Sequence, residues 1–336
     1  MVRLPLRLGP GSFRLVLALL VVFSHLTAFG IGRPAVMLFF ILSGYWVPRM
    51  YEQKYRTVTP AWTATGLFYA SRLLRIWLPF AIAFLVVFVI HSVSAQPKPP
   101  NVLFGLSLFG IASTHHDVLG TAWSLDIELQ FYLLVPAIWV VLSICVQRGW
   151  VFWPVCIVAV LTLLGWHLRS TYGLWTVLCY LPPFVAGTLI WLCKARASFR
   201  LAMASVCLFA AVGIAVLLTP WLRPFLLYHG PVPFEVDWFG MAWVLVLIPF
   251  VTWNVQQKSS ALDMHFGNFS YALYITHWPV IALLQPLMAP LSKTDKLLNL
   301  AVIAVVSVVF YLAVDRRCER FRRNLIRQLS SHKLTG

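Results

Sequence analysis

Arg14 and His25 stand eleven positions apart in the run FRLVLALLVVFSHLTAF, which is otherwise almost wholly apolar. On a helix rising about 1.5 Å per residue they are roughly 16 Å apart. A hydrocarbon core is about 30 Å thick, so an arginine at one membrane face leaves the histidine near mid-depth or in the far half. An ionisable side chain at that depth is costly and marks a functional site. A neutral imidazole takes a proton from a hydroxyl near neutral pH, so the pair predicts base-assisted chemistry inside a bilayer.

Other polar residues fall at compatible depths. Arg72 and Arg75 in SRLLRIWLP share one helix face. With Arg14 they place three guanidinium forks at one membrane face, a geometry suited to phosphate. Ordinary positive anchors at a membrane boundary are the plainer reading of the same spacing. In AVMLFFILSGYWV, Ser43 and Gly44 lie about 13 Å in from the opposite boundary, which suits close backbone approach or a presented hydroxyl. The segment TAWSLDIELQFYLLVP starts near Trp123 and carries Glu128 roughly 8 Å inside that boundary. A carboxylate there needs a partner, and His25 is the natural one, oriented and stabilised in its charged form as in a triad. Asp126 is expected nearer water, about 200° around the same helix. In FGNFSYALYITHWPVI, Ser270, Tyr274 and His277 make one stripe with Tyr271 on an adjacent face, and His277 reaches the depth of His25.

Helices must carry these residues. The chain has 336 residues, 60% of them hydrophobic. Its long continuous apolar stretches predict an all-α, polytopic membrane helix bundle rather than a barrel. About ten spans are expected, near 13–30, 34–49, 74–93, 122–146, 151–168, 173–193, 199–219, 238–254, 267–289 and 297–315. The prolines at 182 and 183 are expected to kink the sixth. The stretch Val102–Ala112 is too short to span and reads as interfacial or re-entrant. One membrane domain, residues 1–336, is expected, with a basic tail over 316–336 on anionic lipid. The N-terminal run is expected to stay as the first span, since no small-residue cleavage site follows it.

The net charge of +16 invites a nucleic-acid reading, but the placement of the charges does not support it. With the N-terminus inside, all but Arg33, Lys98, Arg169, Arg223, Lys293 and Lys296 of the 26 Lys and Arg fall on the cytoplasmic side. That bias predicts a plasma-membrane (bacterial inner-membrane) protein with both termini cytoplasmic, and no nucleic-acid partner. The six cysteines have no CxxC spacing, so neither disulfides nor a metal site is expected. His115-His116-Asp117 in an outer loop reads as wet loop, with acceptor or metal binding as the alternative.

A donor with an anionic head and a thin arm fits this layout. Arg14, Arg72 and Arg75 would hold the head, and the arm would run up through the bundle to His25. Coenzyme A has that shape, with phosphates on its nucleotide and a pantetheine arm matching the rise of about 16 Å. The acceptor would arrive from outside.

These residues resemble the acyltransferase-3 family of integral membrane O-acyltransferases. Arg14 and His25 keep its R-x10-H spacing, Phe39, Phe40, Ser43 and Gly44 its FFxxSG, and Arg72 and Arg75 its RxxR. Trp123, Leu125, Glu128, Phe131 and Tyr132 resemble its fourth-span segment, and Ser270, Tyr271, Tyr274 and His277 its ninth. Glu319-Arg320 resembles the family's ending. Each motif is weak alone; together and in order they are specific. The resemblance implies acetyl transfer from acetyl-CoA to extracytoplasmic or lipid-linked glycans, with His25 catalytic and the arginines on the donor. It also implies the stand-alone class, which delivers directly or through a separate periplasmic acceptor or transfer protein. Many members carry an acidic residue after the Gly-Val preceding FF, where this chain reads Arg33-Pro34-Ala35-Val36-Met37.

Three other readings stay open. The acceptor could be a small molecule or glycolipid. Transfer could pass through a covalent acyl group on His25 or on a tyrosine such as Tyr274. The polar stripe would also suit a transporter or flippase without chemistry, although no inverted repeat is visible.

Overall fold

The computed structural model describes residues 8–93, 102–114, 117–228, 234–284 and 292–331. His115 and His116, further parts of both long outer loops and the end of the basic tail lie outside the described residues. The chain runs through α1 (Pro10–Leu26), α2 (Gly32–Met50), α3 (Ala61–Val93), the short α4 (Val102–Ser107) and α5 (Ile111–Thr114), α6 (Ala122–Gln147) and α7 (Phe152–Tyr172). It continues through α8 (Leu181–Leu192), α9 (Phe199–Leu218), α10 (Phe234–Leu245), α11 (Ile248–Asn254), α12 (Ala261–Leu284), α13 (Lys293–Phe310) and α14 (Arg316–Ser331). No β-strand occurs among the described residues; Phe29 and Leu227 form an isolated antiparallel bridge.

Each expected span falls on a helix, but the helices are of two kinds. Among the described residues, five stretches are long and apolar enough to cross a membrane: α3, α6, α7, α9 and the run Thr294–Ser330. Glu235–Leu245 and Ile248–Asn254 make a sixth if the pair, bent by 55°, is one span. The others, α1, α2, α8 and α12, are shorter or more polar. They pack on one another, α1 against α2 and α12, and α2 against α8. The distinction follows from surroundings. Helices such as α7 and α9 turn Val160, Leu163, Ile214 and Leu218 outward, as a lipid-facing surface demands, whereas a helix ringed by helices can carry polar groups that its neighbours satisfy.

The inner helices approach closely because small residues line their seams. A Cβ on Gly44 would overlap the Phe184 carbonyl, and one on Gly187 the Ile41 carbonyl. Thr188 Oγ1 adds hydrogen bonds to the carbonyls of Gly44 and Phe184, each 3.0 Å. At the start of α1, Asp263 of α12 accepts from the backbone N–H groups of Gly11 (3.0 Å) and Ser12 (2.7 Å) and from Ser12 Oγ (2.7 Å). A carboxylate on the free N–H groups of a helix start is a capping arrangement, and here it is supplied by a second helix. It fixes the height of Arg14 against α12.

Three expectations are corrected. The α1 helix stops at Leu26 rather than near residue 30, which leaves His25 exposed in its last turn. Pro182 and Pro183 do not kink a span; they fall in the first turn of α8, after a 3-10 turn at Val177–Tyr180, where their missing N–H groups cost nothing. Lastly, α3 has 33 residues and the run Thr294–Ser330 has 37. Lengths of about 50 and 55 Å exceed the hydrocarbon core, so both reach beyond it. Their extensions meet at one end, called here the basic end, where α14 packs along α3 and Arg322 Nη1 donates to Ser71 Oγ at 2.5 Å.

Candidate functional site

A cavity of about 440 Å³ opens between α1, α2, α3, α6 and α12. Its lining includes Arg14, Arg72, Arg75, Ser43, Glu128 and Tyr274. The size is that of a small-molecule site. The three arginines converge as their spacing predicts, but they are not equivalent. Arg75 is engaged by the Asp315 carboxylate at 2.7 Å, with Glu319 at 3.9 Å. Asp315 is 1% exposed and ends a π-helical turn, Tyr311–Asp315, that joins α13 to α14. Arg75 also lies over the Tyr271 ring at 5.3 Å, and Tyr271 Oη donates to the Ile76 carbonyl at 2.8 Å. Arg72 stands 6.0 Å over the Tyr132 ring, and its Nε is buried without an acceptor. Arg14 faces Glu128, the carboxylate in the cavity lining. Two cations with unfilled donor capacity in a cavity favour an anionic ligand.

Glu128 does not pair with His25. It accepts hydrogen bonds from Ser43 Oγ and from Tyr132 Oη, the latter at 2.7 Å. Tyr132 is one helical turn along α6 from Glu128, and Ser43 reaches it across the α2–α6 seam, so Oε1 of the carboxylate is held locally by both. Its charge belongs to the arginine cluster. Asp126 is not near water either. It is fully buried, accepting from the Ala112 N–H and from Gln130 Nε2, each at 3.0 Å. Gln130 Oε1 in turn holds the Val177 N–H at 2.9 Å. This pair ties α5 and the start of the α8 segment onto α6.

The cavity ends at Tyr274, whose hydroxyl is 2.6 Å from Ser124 Oγ and whose ring meets Phe39 edge-on at 6.1 Å. His25 and His277 lie beyond it, outside the lining. The His277 ring is 5.8 Å from Tyr274 and 5.3 Å from His25, and His25 lies 4.6 Å from Trp278. Eleven helical steps bring His25 back to within about 20° of the face that carries Arg14. That face is filled between them by buried Ala18, Val21 and Val22. The ribbon of space expected from the arginines to His25 is therefore closed at Tyr274.

Beside the histidines, toward the end opposite the basic one, is a cluster that sequence reasoning missed. Trp123 packs edge-on to Trp175 at 5.7 Å, under the Arg33 guanidinium at 4.2 Å. Asp237 of α10 binds Arg169 at 2.6 Å and lies 3.8 Å from Arg33. Gly240, one turn on from Asp237, packs against Pro34 and Met37. The signal of Asp237 in the sequence was faint, an aspartate two residues after Glu235 at the start of an aromatic apolar stretch. The loop before α6 also serves the histidines. Gly120 holds φ +66°, and a Cβ there would overlap the Trp278 indole. Asp117 accepts from the N–H groups of Leu119 (3.0 Å) and Trp123 (3.2 Å). Burial pushes its carboxyl up to about 6, against the pull of those N–H groups. Asp315 and Ser124 were likewise missed, since nothing local distinguishes them. Among the described residues, no three His, Cys, Asp or Glu side chains are grouped as a metal ion would need.

A family model described as an acyltransferase domain matches residues 10–315. The chain belongs to the acyltransferase-3 family. BcsY of Komagataeibacter xylinus, described as a membrane-bound transacylase, is 26% identical to this acyltransferase over 199 residues, 58% of this chain and 50% of that protein. The chain thus covers about half the length of that relative. No solved structure matches it. An integral membrane acyltransferase needs an acyl donor and an acceptor.

Proposed function

We propose that this acyltransferase moves acetyl from cytoplasmic acetyl-CoA to a hydroxyl of an extracytoplasmic or lipid-linked glycan. The observation that carries the reading is the cavity with Arg14 and the unsatisfied Arg72 at the basic end, separated by Tyr274 alone in ring contact from the His277–His25 pair. The basic end is the cytoplasmic one, in keeping with the positive-inside bias, and both termini are there. Donor phosphates sit on Arg14 and Arg72, with Arg75 held in reserve by Asp315. The pantetheine arm occupies the cavity, and the thioester meets the histidines once the Tyr274 side chain turns aside. His25, exposed in the last turn of α1, takes the acceptor proton. The hydroxyl oxygen attacks the acyl carbon, the C–S bond breaks, and His25 returns the proton to the departing sulfur. Glu128 tunes the arginine cluster, and Ser43 and Tyr132 hold it there. Trp123, with its face on Arg33, shapes the acceptor side.

Thiol release from acetyl-CoA by protein purified in detergent, with a membrane glycan extract as acceptor, tests this. Wild type should release thiol and acetylate the extract, seen by mass spectrometry. His25→Ala should abolish turnover and keep donor binding. Turnover that survives in His25→Ala refutes the assignment of the base.

A further inference from the structure

His277 is wholly buried, with 0% exposure. Its Nδ1 is 3.2 Å from the Leu273 carbonyl, one turn back on α12. A carbonyl can only accept, so Nδ1 carries the hydrogen, and in a neutral imidazole Nε2 then carries a lone pair. That Nε2 is shielded from solvent and has no hydrogen-bond partner. An acceptor left unsatisfied in a buried place is costly and calls for an explanation. The facing ring is His25, 5.3 Å away centroid to centroid and tilted by 35°. This is the spacing of two imidazoles joined edge to edge by one N–H···N bond. His25 is exposed and can turn about its side-chain torsions to close that bond, whereas His277 is locked by Leu273. Each carboxylate near the pair is engaged elsewhere. Trp278 covers the other side of His25, Tyr274 is bound to Ser124, Glu128 is bound to Ser43 and Tyr132, Asp237 is bound to Arg169, and the two oxygens of Asp117 accept from the N–H groups of Leu119 and Trp123.

We propose that His277 is the positioning residue for His25, a neutral imidazole in the place where a triad would have its carboxylate. Its Nε2 accepts the N–H of His25 and so selects one His25 tautomer. The other His25 nitrogen then presents its lone pair to the acceptor hydroxyl. When His25 takes the hydroxyl proton, its imidazolium N–H is already directed at the Nε2 lone pair, and no proton passes to His277. The role rests on the acyl-transfer reading above; the tautomer that His277 selects is a ground-state property that can be read without turnover.

The experiment uses the full chain in detergent with ¹⁵N-labelled histidine. His277→Leu removes the acceptor and keeps bulk, and His277→Gln restores an acceptor oxygen at similar reach. In wild type the His25 nitrogens should report one dominant tautomer by their ¹⁵N shifts. In His277→Leu they should report a mixture, and in His277→Gln one tautomer again. In thiol release, His277→Leu should lower kcat by about 100-fold or more, the scale of a mispositioned general base. The donor KM should stay within about threefold, and His277→Gln should recover most of kcat. Unaltered His25 shifts in His277→Leu overturn the positioning role, whatever the activity. Should His277→Leu fail to fold, His277→Gln decides alone: His25 shifts that differ from wild type overturn the proposal. Absence of thiol release by wild type, with the tautomer effect intact, overturns the acyl-transfer reading and leaves the dyad standing.

Discussion

Arg72 and Arg75 have near-identical sequence contexts, and the structure separates their roles. Arg75 holds Asp315, a carboxylate that is 1% exposed, at 2.7 Å. Arg75→Ala strands that charge. Removing one partner of a buried pair costs about 3–5 kcal/mol, and the 21% exposure of the Arg75 side chain places this case at the low end. Arg72 has no such partner; its Nε is buried without an acceptor. Arg72→Ala should leave stability nearly unchanged and remove one charged hydrogen bond to the donor. That loss is about 1.5–3 kcal/mol, or roughly 10- to 150-fold in Kd. Thermal unfolding in detergent, with and without coenzyme A at about 100 times the wild-type Kd, reads both effects. Ligand at that excess stabilises wild type by about 2.7 kcal/mol, and Arg72→Ala should retain only about 0.3–1.4. Arg75→Ala should start several degrees lower without ligand, and pairing it with Asp315→Asn should recover part of that loss. An Arg72→Ala variant that loses stability but keeps the full ligand shift, together with an Arg75→Ala variant that does the reverse, would refute the division.

Gly44→Ala should destabilise by about 1–3 kcal/mol or more, because its methyl meets the Phe184 backbone rather than a yielding side chain; a melting temperature equal to wild type would mean α2 and α8 are not packed this tightly. Asp117 predicts a pH effect. Its folded value of about 6 lies above the ordinary 3.8, so the fold binds the proton more tightly than the unfolded chain. The stability contribution is full below about pH 4 and is lost as pH rises through 6. The loss is about 3 kcal/mol for a two-unit shift. Asp117→Asn keeps an acceptor for one of the two N–H groups and removes the titration, so its stability relative to wild type should rise by most of that amount between about pH 4.5 and pH 7.5. A gap independent of pH would sink this account.

The sequence by itself determined the helices, the family and many of the residues that line the cavity. Hydropathy located the helices because lipid leaves a backbone no other way to satisfy its amides, although only five or six of the described stretches are long and apolar enough to cross a membrane. The regular spacing of Arg72 and Arg75, and of Ser270, Tyr274 and His277, held because one helix keeps its own register. What the tertiary structure decided were the partnerships between helices. Glu128 looked like the mate of His25 by depth, but the α2–α6 seam gave it Ser43. Arg75 looked free until the π-turn before α14 brought in Asp315 from 240 residues away. Arg33 and Arg169 looked like separate loop cations until α10 brought Asp237 between them. Depth along a helix is set by counting residues, and so it is legible in the chain. Azimuth and distance between helices are set by which small residues let the backbones meet, as Gly44 does with Gly187, and by which buried polar atoms find one another once they do.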